Sequence, residues 1–108
     1  MDDQEFTRLS DSCLQRAAAW LEDFDPDELD YSTADGSVTV EFPDGTKFIL
    51  SRQSATRQVW LAAAAHGHHF DYDPAQASWR DDKTGDELFA TFAAAIAERL
   101  GHEVAEPS

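Results

Sequence analysis

The chain carries a single cysteine, Cys13, in 108 residues. No disulfide can therefore close within one copy, and no cysteine-built zinc or iron–sulfur site can form there. No apolar stretch approaches the about 20 residues that span a bilayer; the run from Trp60 to Ala65 is far shorter. The N-terminus, Met1-Asp2-Asp3-Gln4-Glu5, has neither the apolar centre of a secretory signal nor the arginines of a transit peptide. These absences predict a cytoplasmic protein. Basic residues are scarce too: eight Lys and Arg stand against 22 Asp and Glu, a net charge of −14. Such a field repels nucleic-acid phosphates and anionic membranes, so neither is an expected partner, while cations and basic proteins are attracted. The deficit is sharpest between Ala17 and Thr46, which holds no Lys or Arg and nine carboxylates.

Six of those carboxylates crowd into Glu22-Asp23-Phe24-Asp25-Pro26-Asp27-Glu28-Leu29-Asp30. An apolar content of 42% is ample for a packed core, so this acidity is not that of a disordered chain. The length suits one domain over residues 1–108, with 102–108 expected as a loosely held tail. Phe6, Leu9, Cys13, Ala17, Trp20 and Phe24 recur at steps of three and four, which predicts an amphipathic helix stopped by Pro26. The acidic run is then expected to start on its last turn, against the negative end of the helix dipole, at a cost of about 0.3–1 kcal/mol per carboxylate. Strand alternation follows at Val38 to Phe42, Lys47 to Arg52, Arg57 to Leu61, His69 to Tyr72 and Ser78 to Arg80, with an edge strand near Leu29 to Thr33. Pro43-Asp44-Gly45-Thr46 supplies a turn. Thr84 and Glu87 have capping-box spacing ahead of Phe89, Phe92, Ile96 and Leu100, and Gly101 suits the C-terminal cap. The order predicts an α+β two-layer sandwich, with N- and C-terminal helices on one face of a five- to six-stranded antiparallel sheet.

Several constellations bear on chemistry. Asp23-x-Asp25-x-Asp27 matches the first three ligand positions of an EF-hand loop, but Glu28 stands where its glycine belongs and Ala34 where its closing glutamate belongs. What remains is a ridge of carboxylates suited to weak binding of Fe²⁺, Fe³⁺, Mn²⁺ or Ca²⁺, or else a solvated surface without a task. His66, His68 and His69 form a second cluster. It reads as a polar turn, or as ligands for a transition metal or a haem iron. If a strand begins near His68, then His68 and His69 face opposite ways and do not chelate together. Gln58 and Trp60 share one face of their strand, which places Trp60 on the open sheet as a binding anchor or as a side chain covered by Arg52. Cys13 lies on the apolar helix face as a small core residue. No nucleophile elbow, phosphate loop or zinc-protease motif occurs, so the chain is not read as an enzyme.

Ser51-Arg52-Gln53, then Gln58-Val59-Trp60-Leu61-Ala62, then Gly67-x-x-Phe70-Asp71 resemble the frataxin family, in its bacterial, CyaY-type branch. Glu5-Phe6-x-Arg8-Leu9, the Phe42-x-Asp44-Gly45 turn and Gly85-Asp86-Glu87 extend the resemblance over nearly the whole chain. It implies a non-enzymatic role in iron–sulfur cluster assembly, with ferrous or ferric iron bound weakly, several ions per chain, and other divalent cations accepted. It implies docking on the cysteine desulfurase through that protein's basic surface, contact with the iron–sulfur scaffold protein, and a monomer that iron can drive to oligomerise. Carried over by position, the metal ridge falls on Glu22, Asp23, Asp25 and Asp27, with Asp30 and Asp3 as outer members. The partner surface falls on Asp11, Glu22, Asp23, Glu28, Arg52, Gln53, Gln58 and Trp60. Two departures stand out: Ala18 and Ala19 replace carboxylates common in bacterial relatives, and Ser51 replaces the usual asparagine. A metal-independent acidic module that regulates the desulfurase, and a haem or transition-metal binder built on the histidines, are the alternative readings.

Overall fold

A computed structural model describes residues 1–107. Helix α1, Asp3–Leu21, is followed by six strands: β1 Asp30–Ala34, β2 Ser37–Glu41, β3 Lys47–Gln53, β4 Gln58–Ala63, β5 His66–Asp73 and β6 Ser78–Asp81. Helix α2, Leu88–Leu100, closes the order. The strands pair antiparallel in sequence order, β1 to β6, with β1 at the edge as expected. Both helices lie on one face, α1 over β1 to β3 and α2 over β4 and β6. The anticipated two-layer α+β sandwich is what forms.

Local chemistry explains the boundaries. Asp2 caps α1, its carboxylate accepting the Glu5 N–H at 2.7 Å, and Asp3 and Glu5 in the first turn meet the positive end of the dipole. The helix ends at Leu21, four residues before the stop expected from Pro26, and turns tighten from Glu22 to Phe24. No basic residue stands in that last turn to offset the dipole. Only Glu22, the C-cap, therefore sits on the helix, and the remaining acids of the run occupy the loop. The inward face also takes Ser10, Leu14 and Leu21, while Leu9 and Phe24 are only half-buried. Trp20 makes edge-to-face contacts with Phe24, Phe89 and Phe92, which joins the two helices over the sheet.

Two expectations on the second half change. His66-Gly67-His68-His69 is not a turn: Ala64 and Ala65 make the β4–β5 turn, and Ala63 pairs with His66 in register. Ala64 achieves this with φ 56°, a left-handed conformation that costs an alanine about 1 kcal/mol. Ala64→Gly should accordingly raise stability by roughly 1 kcal/mol in a denaturant titration, and a drop would contradict that strain. Thr84 is not the cap of α2. Glu87 is, its carboxylate accepting the N–H groups of Phe89 (2.9 Å) and Ala90 (3.1 Å). Gly85, with φ 79°, and a bridge between Arg80 and Glu87 delay the helix. Gly101 caps its other end as expected, with φ 80° and its N–H on the Ala97 carbonyl.

Candidate functional site

The acidic run follows the C-cap of α1 and leads into β1. Glu22, Asp23, Asp25, Asp27 and Asp30 are exposed, and Glu28 is half-buried. Asp25 accepts the N–H of Asp27 at 2.9 Å and Asp30 that of Tyr31 at 2.8 Å, each with one oxygen, which leaves the other to solvent. Among the described residues no three His, Cys, Asp or Glu side chains are grouped to enclose one metal ion. Carboxylates spread in this way offer a cation one or two oxygens each, with water left to complete its shell, a geometry suited only to loose binding. Asp3 lies elsewhere. It sits at the far end of α1, about 28 Å along the axis from Glu22, and its carboxylate accepts from Arg57 at 2.8 and 3.1 Å.

The residues assigned to partner contact divide between the two faces of the sheet. Arg52 pairs in register with Val59, a core residue, so its side chain points to the helix layer. There it forms an ion pair with Asp11 of α1 and a 3.2 Å contact with Asp35, and its side chain is only 13% exposed. Its guanidinium lies against Gly36, where an added Cβ would come within 3.3 Å of Nη2. Arg52 thus ties α1 to the β1–β2 turn and does not share a surface with Trp60, nor does it cover that ring. Gln53, Gln58 and Trp60 do share the open face. Trp60 is half-buried because His69 stacks on it at 4.3 Å, and its indole N–H donates to Gln58 Oε1 at 2.9 Å. Gln58 in turn donates to Asp71 and Asp82, so this patch is held in place by its own hydrogen bonds.

The histidines separate as the alternation requires. His69 faces Trp60, while His68 points to the helix side, its Nδ1 3.2 Å from Asp81 Oδ2. Asp81 is a buried carboxylate, and nothing in its sequence neighbourhood marks it as one. Burial pushes its carboxyl up, but the N–H groups of Lys83 and Thr84 and the His68 ring outweigh that and hold it below the usual carboxylate range. Cys13 is buried in the core, and desolvation, with the Glu87 charge adding to it, pushes its thiol up to about 12. At neutral pH it carries no thiolate to act as a nucleophile.

Within 102–107, the described part of the segment expected as a loosely held tail, three residues make hydrogen bonds to the body of the fold; Ser108 lies outside the described residues. Trp20 Nε1 donates to the Ala105 carbonyl at 3.0 Å, Arg16 to the Pro107 carbonyl at 3.1 Å, and His102 Nε2 meets Glu28. Nothing in the tail's composition signals this, because the buried indole N–H it satisfies is 85 positions away. The hydrogen bond that His102 donates to the Glu28 carboxylate, helped by the Glu103 carbonyl, raises the His102 pKa above its ordinary value. A raised histidine pKa means the contact stabilises fully below about pH 6.5 and fades as pH climbs through the folded-state value. NMR titration should place His102 above that ordinary value, and Glu28→Gln should bring it back; an unshifted His102 in the parent protein would refute the contact.

A frataxin-like domain model matches residues 1–102. The chain is 40% identical over 107 residues to the iron–sulfur cluster assembly protein CyaY of Pseudomonas aeruginosa, covering 99% of this chain and 98% of the relative. It is 40% identical over 96 residues to the protein of that description from Psychromonas ingrahamii, covering 89% of each. A solved frataxin structure from Psychromonas ingrahamii superposes with a TM-score of 0.85 at 36% identity, covering 96% of both chains.

Proposed function

Because this chain belongs to the frataxin family, we propose that it serves iron–sulfur cluster assembly as a non-catalytic iron-binding protein that docks on the cysteine desulfurase. The observation that carries this reading is the exposed run from Glu22 to Asp30, lying in a segment without Lys or Arg. Closely spaced carboxylates raise the local concentration of cations and steer a basic protein surface toward themselves. Their failure to converge on one point suits iron that must be passed on: a cage would hold the ion, whereas one or two oxygens release it.

Docking draws on both surfaces. The ridge on Glu22, Asp23, Asp25 and Asp27 supplies electrostatic attraction, and Asp30 and Glu28 extend it toward β1. Gln53, Gln58 and Trp60 on the open face supply an uncharged, pre-ordered contact for the desulfurase or the scaffold protein. Arg52 and Asp11 contribute by holding α1 against the sheet, which keeps the ridge and the open face in fixed relation. Asp3 is engaged by Arg57 and belongs to neither surface.

That the described residues group no three ligands around one metal ion also supports a second reading, in which the acids meet the basic desulfurase directly and iron is dispensable. One experiment separates the two: desulfurase turnover with and without this protein, across Fe²⁺ concentrations and with a chelator. A rate change that grows with iron supports the iron-binding regulator. A rate change that persists unchanged in chelator supports the metal-independent module, and no effect on turnover at any iron level sinks regulation of the desulfurase.

A further inference from the structure

A groove of about 780 Å³ opens between α2 and the β4–β5 end of the sheet, away from the acidic run. Small apolar side chains, Ala63, Ala90 and Ala94, line much of it, and two imidazoles, His66 and His68, enter it. Both stand on β5 two positions apart, so they lie on one face with their Cα atoms about 7 Å apart. Side chains at that spacing can bring two ring nitrogens to one ion at the about 2.0–2.1 Å of a metal–imidazole bond. Opposite His66 in register is Ala63, whose small side chain leaves the imidazole room. His69, between them, is turned to the other face and stacked on Trp60.

The hydrogen bonding of His68 suits a ligand as well. Its Nδ1 lies 3.2 Å from the Asp81 carboxylate, and the neutral tautomer that donates from Nδ1 to that carboxylate carries its lone pair on Nε2. A carboxylate behind a histidine, fixing tautomer and ring direction, is the arrangement that metal-bound imidazoles commonly have. The arginines on the groove do not oppose a cation alone. Arg99 is paired with Asp44, Arg80 is turned to Gln76 and Ser78, and Asp86 and Glu98 also line the space. We infer that His66 and His68 form a two-imidazole site for a borderline divalent transition ion, Cu²⁺, Ni²⁺ or Zn²⁺, with water filling the remaining positions. Imidazole nitrogens favour such ions, whereas the scattered carboxylate oxygens of the acidic run discriminate little among cations.

The test is Cu²⁺ affinity by calorimetry on the full chain, with melting curves to confirm that each variant folds. His66→Ala and His68→Ala should each weaken the tightest site by about tenfold or more, and Asp81→Asn by about tenfold through loss of orientation. His69→Ala and His102→Ala should leave it within about twofold, because neither ring enters the groove. Unchanged affinity in the folded double variant His66→Ala/His68→Ala would overturn the site. So would an equal loss in His69→Ala or in His102→Ala.

Discussion

Reversing Asp23, Asp25 and Asp27 to lysine together should weaken binding to the cysteine desulfurase by roughly a hundredfold or more. Attraction between the ridge and a basic surface becomes repulsion at three neighbouring positions, and the loss should shrink as salt rises. Fe²⁺ binding at the ridge should fall as well, because the oxygens that would hold it are gone. Stability should not fall. All three side chains are exposed, and none is an acceptor for a charged partner within the protein. Lysine at Asp23, beside the C-cap of α1, also meets the helix dipole with the favoured sign, worth about 0.3–1 kcal/mol. Surface-immobilised desulfurase and a thermal melt measure the two quantities side by side. Undiminished affinity in the folded variant would remove the ridge from docking and leave the open sheet face alone in that role.

Arg52→Ala should act in the opposite way, costing about 2–3 kcal/mol of stability and lowering Tm by roughly 10 °C. The substitution strips Asp11 of its ion pair, removes the contact with Asp35 and empties the space over Gly36. Arg52→Lys should recover only part of this, since one ammonium cannot reproduce a guanidinium fork that reaches two carboxylates on different elements. Desulfurase affinity, measured well below the melting point, should change far less than in the ridge variant. A variant as stable as the parent but unable to bind would return Arg52 to the contact surface and contradict its placement in the structure.

The position of Arg52 was legible from the strand itself. Phe48 and Leu50 are core residues, and alternation carries the same face to position 52. Gln53 and Arg52, adjacent in one motif, therefore cannot share a surface. The same rule separated His68 from His69 in the sequence, and the structure keeps them apart. The two-residue turn at Ala64 was not legible, because alanine carries no signal for a left-handed backbone. The early end of α1 was hidden too. Pro26 marks where a helix cannot continue, whereas the helix stops sooner, where Glu22 and Asp23 meet an unopposed dipole.

Residue order by itself determined the two layers, the strand succession with its turn at Pro43–Thr46, the apolar faces and the acidic run, since each is written in spacing over a few positions. Only the tertiary structure decided which distant groups meet: Asp11 with Arg52 across 41 positions, Glu28 with His102 across 74, Trp20 with the Ala105 carbonyl across 85. Periodicity reports which face of an element is buried. The partner found there depends on how helices and sheet are laid together, and that is set by packing of the whole core.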